Sequence, residues 1–409
     1  MSLKNTIAEL ALEIFEEVRY IRRHLHQYPE LSFEEFETSR FICSKLDEYG
    51  IPYQSGFVQT GIVAKIEGRN PDKKVIALRA DIDALPIQET NKISYRSQNE
   101  GIMHACGHDF HTASLLGTAK ILNHLKTEFD GTILLIFQPA EEKYPGGATL
   151  MMQEGALDNP SPEMIVGLHV LPDLPTGMIG IRPGKYMASG DEIYFTVKGP
   201  GGHGALPHQT VDTVLVTAQI ITSLQQIVSR NAPAHIPTVL SFGRIIANGS
   251  TNIIPSEVQV AGTFRTMDEN WRARGKELIV KIATAIAESM GAEIDFTIHH
   301  GYPVLINNPE LTENIKRWTS ELLGPDKVID LDVRMTCEDF AFYSNKYPVC
   351  FIRIGTGRTG ELKPAGLHTP CFDLNEDALV TAMQTSCWIA IQALQQEKNQ
   401  ELSFPRFQL

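Results

Sequence analysis

With 409 residues, 43% of them hydrophobic and 21% charged, the chain is long enough for two domains and has the composition of a soluble globular enzyme. A formal net charge of −13 argues against a nucleic-acid binder, because polyanions are met by basic faces. No apolar run approaches the roughly 20 residues of a membrane span, so no membrane partner is expected.

Residues 5–28 alternate acidic and basic side chains on an amphipathic pattern, unlike a basic-then-apolar signal peptide. Six cysteines are scattered without framework spacing and read as reduced thiols, which places the protein in the cytoplasm. Apolar residues at Leu10, Ile14, Val18 and Ile21 predict a helix over 7–23. After Pro29, Ser32 with Glu35 three residues on has the form of a capping box, predicting a helix that ends at Gly50. Residues 61–67 alternate like a half-buried strand, and 74–79 read as a core strand.

That strand runs into Asp81 and Asp83, two carboxylates where open α/β sheets place their ligands. The segment 103–113, MHACGHDFHTA, comes next; it offers imidazole, thiolate and carboxylate donors around Gly107, the mixture a transition metal takes. Its continuation, 112–125, reads as a helix. A third apolar run, 131–137, ends in Gln138, Pro139, Ala140, Glu141 and Glu142. Adjacent glutamates beyond a strand end can divide the work of a metal-assisted hydrolase, one as ligand and one as general base. Gly146 and Gly147 turn the backbone into a short helix over 148–154, and the strand 164–170 carries His169 near its end.

From about residue 186 the texture changes. Strands at 192–198, 237–245, 257–265 and 293–299, with helices at 213–229 and 270–290, form a self-contained α+β unit. Its glycines at 199, 201, 202 and 204 do not make a dinucleotide fingerprint; they leave bare backbone near His203, open to a ligand or another chain. The α/β texture returns with a core strand at 349–354, a glycine turn at 355–357, and His368. Asp373 with Glu376 is expected to cap the last helix, which runs to about Leu394 before a polar, frayed tail at 395–409. The expected class is α/β: a catalytic domain with helices on a central sheet, formed by 1–185 and 301–409, interrupted by an α+β domain at 186–300.

Strand-end positions thus contribute Cys106, His108, Glu142, His169 and His368, with Glu141 beside them. Five donors of mixed type exceed one tetrahedral structural site and suit a pair of metals with open positions. With RRHLHQYPEL at 22–31, RADIDALP at 79–86, HACGHDFH at 104–111, QPAEE at 138–142, GLH at 167–169, GPGGHGALP at 199–207, TNIIP at 251–255, GTFR at 262–265 and LHT at 367–369, the chain resembles the M20 metallopeptidase family over nearly its whole length. The resemblance is to its amidohydrolase branch of hippurate hydrolases, N-acyl-amino-acid deacylases and auxin-conjugate hydrolases.

The resemblance implies that Cys106, His108, Glu142, His169 and His368 hold two divalent ions (zinc, manganese, cobalt or nickel). It makes Glu141 the general base that takes a proton from water, and His203 a residue assisting the carbonyl oxygen, often across a dimer. Asn252 and Arg265 resemble substrate-contacting positions. The implied activity is hydrolysis of small N-acyl amino acids by a homodimer joined through the inserted domain. A dipeptidase or aminopeptidase of the same family, or a non-catalytic metal-binding relative, are the other readings. Arg79 stands where many relatives outside this branch carry a ligand histidine, so Asp81 and Asp83 are expected to lie behind the ligands.

Overall fold

The computed structural model describes residues 2–358 and 365–396, and the end of the expected tail, 397–409, lies outside them. The chain clusters into two compact units, one of Met1–Gly184, Ile306–Asp332 and Asp339–Leu409, the other of Lys185–Leu305 and Val333–Glu338.

In the first unit, eight strands form a mixed sheet in the order Tyr53–Phe57, Gly61–Glu67, Thr132–Gln138, Val75–Asp81, Ile165–Pro175, Val349–Gly357, Ile179–Ile181 and Val328–Asp330. The four central strands run parallel and are buried almost throughout, as continuous apolar runs require. Being parallel, they deliver Asp81, Gln138 and the residues after them to one edge of the sheet. Helices His108–His124 and Ala378–Gln395 pack together and are buried on nearly all sides. The α/β class expected from the strand–helix rhythm is the class observed.

Several local expectations are corrected. The first helix is two, Leu3–Glu13 and Phe15–Gln27; the break at Ile14 lets Ile7 and Ala11, then Val18, Ile21 and Leu25, all reach the core. Ser32 is no cap. The helix starts at Phe36, and its first amides, Glu37 and Thr38, donate to the Glu30 carboxylate at 3.1 and 2.8 Å, which suits the positive end of a helix dipole. The residues 355–357 continue the strand across a bulge instead of turning. Asp373 and Glu376 do not cap the last helix, whose N-cap position is Asp377; they pair with arginines.

That pairing forms a buried network. The Arg22 guanidinium, fully buried, meets Asp109 at 2.7 Å, Asp373 at 3.4 Å and Glu376 at 3.3 Å, while Arg23 meets Glu376 at 2.6 Å. Burial alone would raise the Asp109 carboxyl, but Arg22 and His26 hold it below the usual carboxylate range. A carboxyl depressed in the folded state contributes stability that is complete above its unfolded value near 3.9 and is lost as pH falls toward the folded value. Removing one partner strands a buried charge. Arg22→Met is therefore expected to cost about 3–5 kcal/mol in urea unfolding at neutral pH. With Asp109 released, its acid transition should also move to higher pH than that of the wild type.

The second unit is an antiparallel sheet ordered Thr238–Ile246, Glu257–Thr266, Ser189–Lys198 and Glu293–His299. Helices Thr213–Leu224 and Glu269–Ser289 share its core, where Phe195, Val216, Ile220, Phe264 and Ile279 are buried. Among the described residues, no helix is long and apolar enough to cross a membrane.

Candidate metal centre

The CGH segment sits at the N-terminus of the helix His108–His124. Gly107 occupies φ +84°, and a Cβ there would lie 2.6 Å from Val170 Cγ2, so only glycine allows this turn against the neighbouring strand. The turn presents Cys106 and His108 together, and the helix begins at once, four residues earlier than the apolar spacing suggests. Cys106 Sγ is 3.4 Å from His169 Nε2.

His108 Nε2 stands 4.0 Å from Glu141 Oε2 and 3.9 Å from Glu142 Oε1, and Glu142 Oε1 is 3.1 Å from His368 Nε2. His368, more than half exposed, occupies φ +60° and is tied down by its amide donating to the Ala105 carbonyl at 2.8 Å. The donor atoms of Cys106, His108 and His169 lie within 4.8 Å of one another, as do those of Cys106, Glu142 and His368, so Cys106 belongs to both groups.

The way each histidine is held decides what its other nitrogen can do. His108 Nδ1 is 3.1 Å from Asp83 Oδ1, and His169 Nδ1 donates to the Val170 carbonyl at 2.8 Å. A carboxylate and a carbonyl can only accept, so Nδ1 carries a proton in both rings and Nε2 is the nitrogen left to face the other donors. His108 Nε2 is buried with no hydrogen-bond partner. His111, also close by, differs: Nδ1 donates to Asp81 at 2.6 Å and Nε2 accepts the Val170 amide at 3.0 Å. Both its nitrogens are spent, which removes it from the candidate ligands.

Donors at about 2.0–2.3 Å from one ion sit roughly 3.5 Å apart in a tetrahedron, close to the separations seen. The residues fit divalent metal ions.

The electrostatics agree. Burial and Arg353 hold the His169 imidazole well below its ordinary value, keeping it neutral as a ligand must be. Burial would lower His108 too, but Asp81, the Asp83 hydrogen bond and Cys106 raise it well above the ordinary value. Cys106 and Glu142 likewise push His368 up to about 10. The acidic groups that raise these two imidazoles, Asp81, Asp83, Cys106 and Glu142, are the ones that would draw a cation to the same place.

Asp81 and Asp83 stand behind these donors. Asp83 accepts from His108, from Ser32 Oγ at 2.6 Å and from the Glu142 amide at 2.9 Å. Asp81 accepts from His111 and from Arg79 Nη1 at 2.6 Å, and Arg79 reaches on to Asp339 at 2.9 Å. Spacing does not single out Ser32 as a support of this kind, or Asp339 at all.

The remaining candidates lie in the second unit. His203 and Asn252, both exposed, are brought side by side where the short strands Gly202–His203 and Ile253–Ile254 pair: the Gly204 amide donates to the Asn252 carbonyl, and His203 Nδ1 accepts the Ala205 amide at 3.0 Å. Arg265 is on the strand Glu257–Thr266, donating to Thr263 Oγ1 and the Met335 carbonyl. The bare backbone expected near His203 is occupied from within, since a Cβ on Gly201 would lie 2.3 Å from the Ile254 carbonyl oxygen.

Residues 77–390 match the model of peptidase family M20/M25/M40. The chain belongs to this family. It is 43% identical over 307 residues to an N-acyl-L-amino acid amidohydrolase of Geobacillus stearothermophilus, covering 75% of this chain and 82% of that one. It is 40% identical over 376 residues to an N-acetylcysteine deacetylase of Bacillus subtilis (strain 168), covering 92% and 96%. Among solved structures it is similar to the Bacillus subtilis YXEP protein, described as a dinuclear metal binding peptidase, with TM-score 0.78, 36% identity, and coverage of 94% of this chain and 99% of that one. This M20 chain is a hydrolase of amide bonds.

Proposed function

We propose that this M20 hydrolase cleaves N-acyl amino acids, such as N-acetyl or N-benzoyl derivatives, to a carboxylate and a free amino acid. Cys106, His108, Glu142, His169 and His368 would hold two divalent ions, with Glu141 as general base. The observation that carries this reading is Glu141 Oε2 standing 4.0 Å from His108 Nε2, which has no hydrogen-bond partner among the described residues, at the edge of the donor cluster. Divalent ions at these donors would supply Lewis acidity toward an amide carbonyl and a water.

Glu141 takes the proton of the attacking water and returns it to the leaving nitrogen. The orientation of Glu142 is fixed by its own amide, which Asp83 holds. His203 donates to the carbonyl oxygen as charge develops there, and Asn252 and Arg265 contact the substrate. A thiolate ligand favours zinc, manganese, cobalt or nickel over magnesium.

The YXEP protein is described as a peptidase, which supports a second reading, cleavage of unblocked dipeptides. A panel of N-acetyl, N-benzoyl and indole-acetyl amino acids against free dipeptides separates the two. The proposal expects turnover of the blocked substrates, and turnover of dipeptides alone contradicts it.

The second unit is the proposed homodimer contact. Among the described residues its strand Thr238–Ile246 pairs on one side only, with Ile245 exposed, and Val214 and Leu215 are exposed on the helix Thr213–Leu224. Light scattering is expected to give twice 45.5 kDa, and Leu215→Glu to give 45.5 kDa. Six free thiols support a reducing compartment, the cytoplasm.

A further inference from the structure

The Glu35 side chain is fully buried and pairs with no basic group among the described residues. One of its oxygens, Oε1, accepts two backbone amides, from Phe33 at 3.0 Å and from Ala140 at 2.9 Å; the other accepts Thr60 Oγ1 at 2.8 Å. Both amide donors belong to left-handed residues that are not glycine, Phe33 at φ 70° and Ala140 at φ 52°. Such conformations are disfavoured for residues with a Cβ and persist only where the surroundings impose them.

Ala140 immediately precedes Glu141. Its carbonyl accepts the Gly147 amide at 3.0 Å, and two residues on, the Glu142 amide is held by Asp83, which Ser32 Oγ also holds. The Ser32–Glu35 turn therefore grips the Glu141–Glu142 pair from both sides. It does so with a buried carboxyl group that has no basic partner among the described residues and is held by three hydrogen bonds.

We propose that Glu35 is a positioning residue: by clamping the Ala140 amide it imposes the left-handed turn that aims Glu141 and Glu142 at the metal cluster. This rests on the roles proposed above for those two glutamates. Outer partners of metal sites typically govern activity or affinity by about 10–100-fold, and a loss in kcat of that size is expected for Glu35→Ala, with KM little changed.

Glutamine can accept both amides through its carbonyl and donate to Thr60, so Glu35→Gln should restore most of the loss. Glycine takes positive φ without strain, so Ala140→Gly placed in the Glu35→Ala background should recover part of kcat. The visible d–d spectrum of the cobalt(II)-loaded protein supplies a readout independent of turnover. It should shift in Glu35→Ala and return toward wild type in Glu35→Gln.

A wild-type spectrum together with wild-type kcat in Glu35→Ala overturns the proposal, and so does a loss that neither Glu35→Gln nor the added Ala140→Gly relieves. If the wild type hydrolyses no N-acyl amino acid, the reading of function fails, while the cobalt spectrum still tests Glu35. Should Glu35→Ala not fold, Thr60→Val, which loosens only Oε2, is expected to lower kcat by a smaller factor, and an unchanged kcat with an unchanged cobalt spectrum overturns the role.

Discussion

Glu141→Gln is expected to lower kcat on an N-acyl amino acid by about 10³-fold, within the range a general base supplies. The glutamine has the same shape and remains able to accept hydrogen bonds, but it cannot take up a proton at neutral pH. The ions should stay, because the five proposed ligands are untouched; metal analysis after gel filtration is expected to equal that of the wild type. Glu141 is also near enough to His108 and Glu142 to join a donor group with them. Loss of an ion together with activity would move Glu141 from base to ligand, and full activity would remove it from the chemistry altogether.

Cys106→Ala is the second large effect. Its sulfur is the atom common to the group with His108 and His169 and the group with Glu142 and His368. Deleting it takes a donor from both at once, and His111 is not placed to replace it, having both nitrogens committed to Asp81 and Val170. Bound metal is expected to fall from about two ions per chain to one or fewer, with turnover falling as far as in Glu141→Gln. Two retained ions would show that the thiol is a bystander beside an imidazole cluster.

The placement of these residues obeys a rule visible in the chain. Continuous apolar runs predict parallel buried strands, and the residues just beyond the carboxyl ends of such strands gather at one sheet edge. Asp81, Asp83, Glu141 and Glu142 can be picked out by position for that reason. The α/β class comes from the same runs.

Partners far apart in sequence are less legible. Ser32 and Glu35 have the spacing of a capping box, yet Ser32 bonds Asp83, 51 residues on, and Glu35 bonds Ala140, 105 residues on. Asp373 and Glu376 likewise read as a cap but answer Arg22 and Arg23, more than 350 residues earlier. A carboxylate near a helix start satisfies a local rule whether or not a distant guanidinium claims it, and only the folded chain shows which partner wins. The glycines around His203 carry the same ambiguity. Bare backbone in sequence looks open to a ligand, whereas the Ile254 carbonyl already fills the space at Gly201.

Amide hydrolysis is proposed to run on a two-ion centre built from Cys106, His108, Glu142, His169 and His368. Its most direct test is a titration of chelator-stripped protein with zinc, manganese or cobalt, tracking hydrolysis of an N-acetyl amino acid against bound ion. Such a centre predicts no turnover in the stripped protein and full turnover only as occupancy approaches two ions per chain. Turnover that persists without metal, or that is complete at one ion and indifferent to the second, would contradict it.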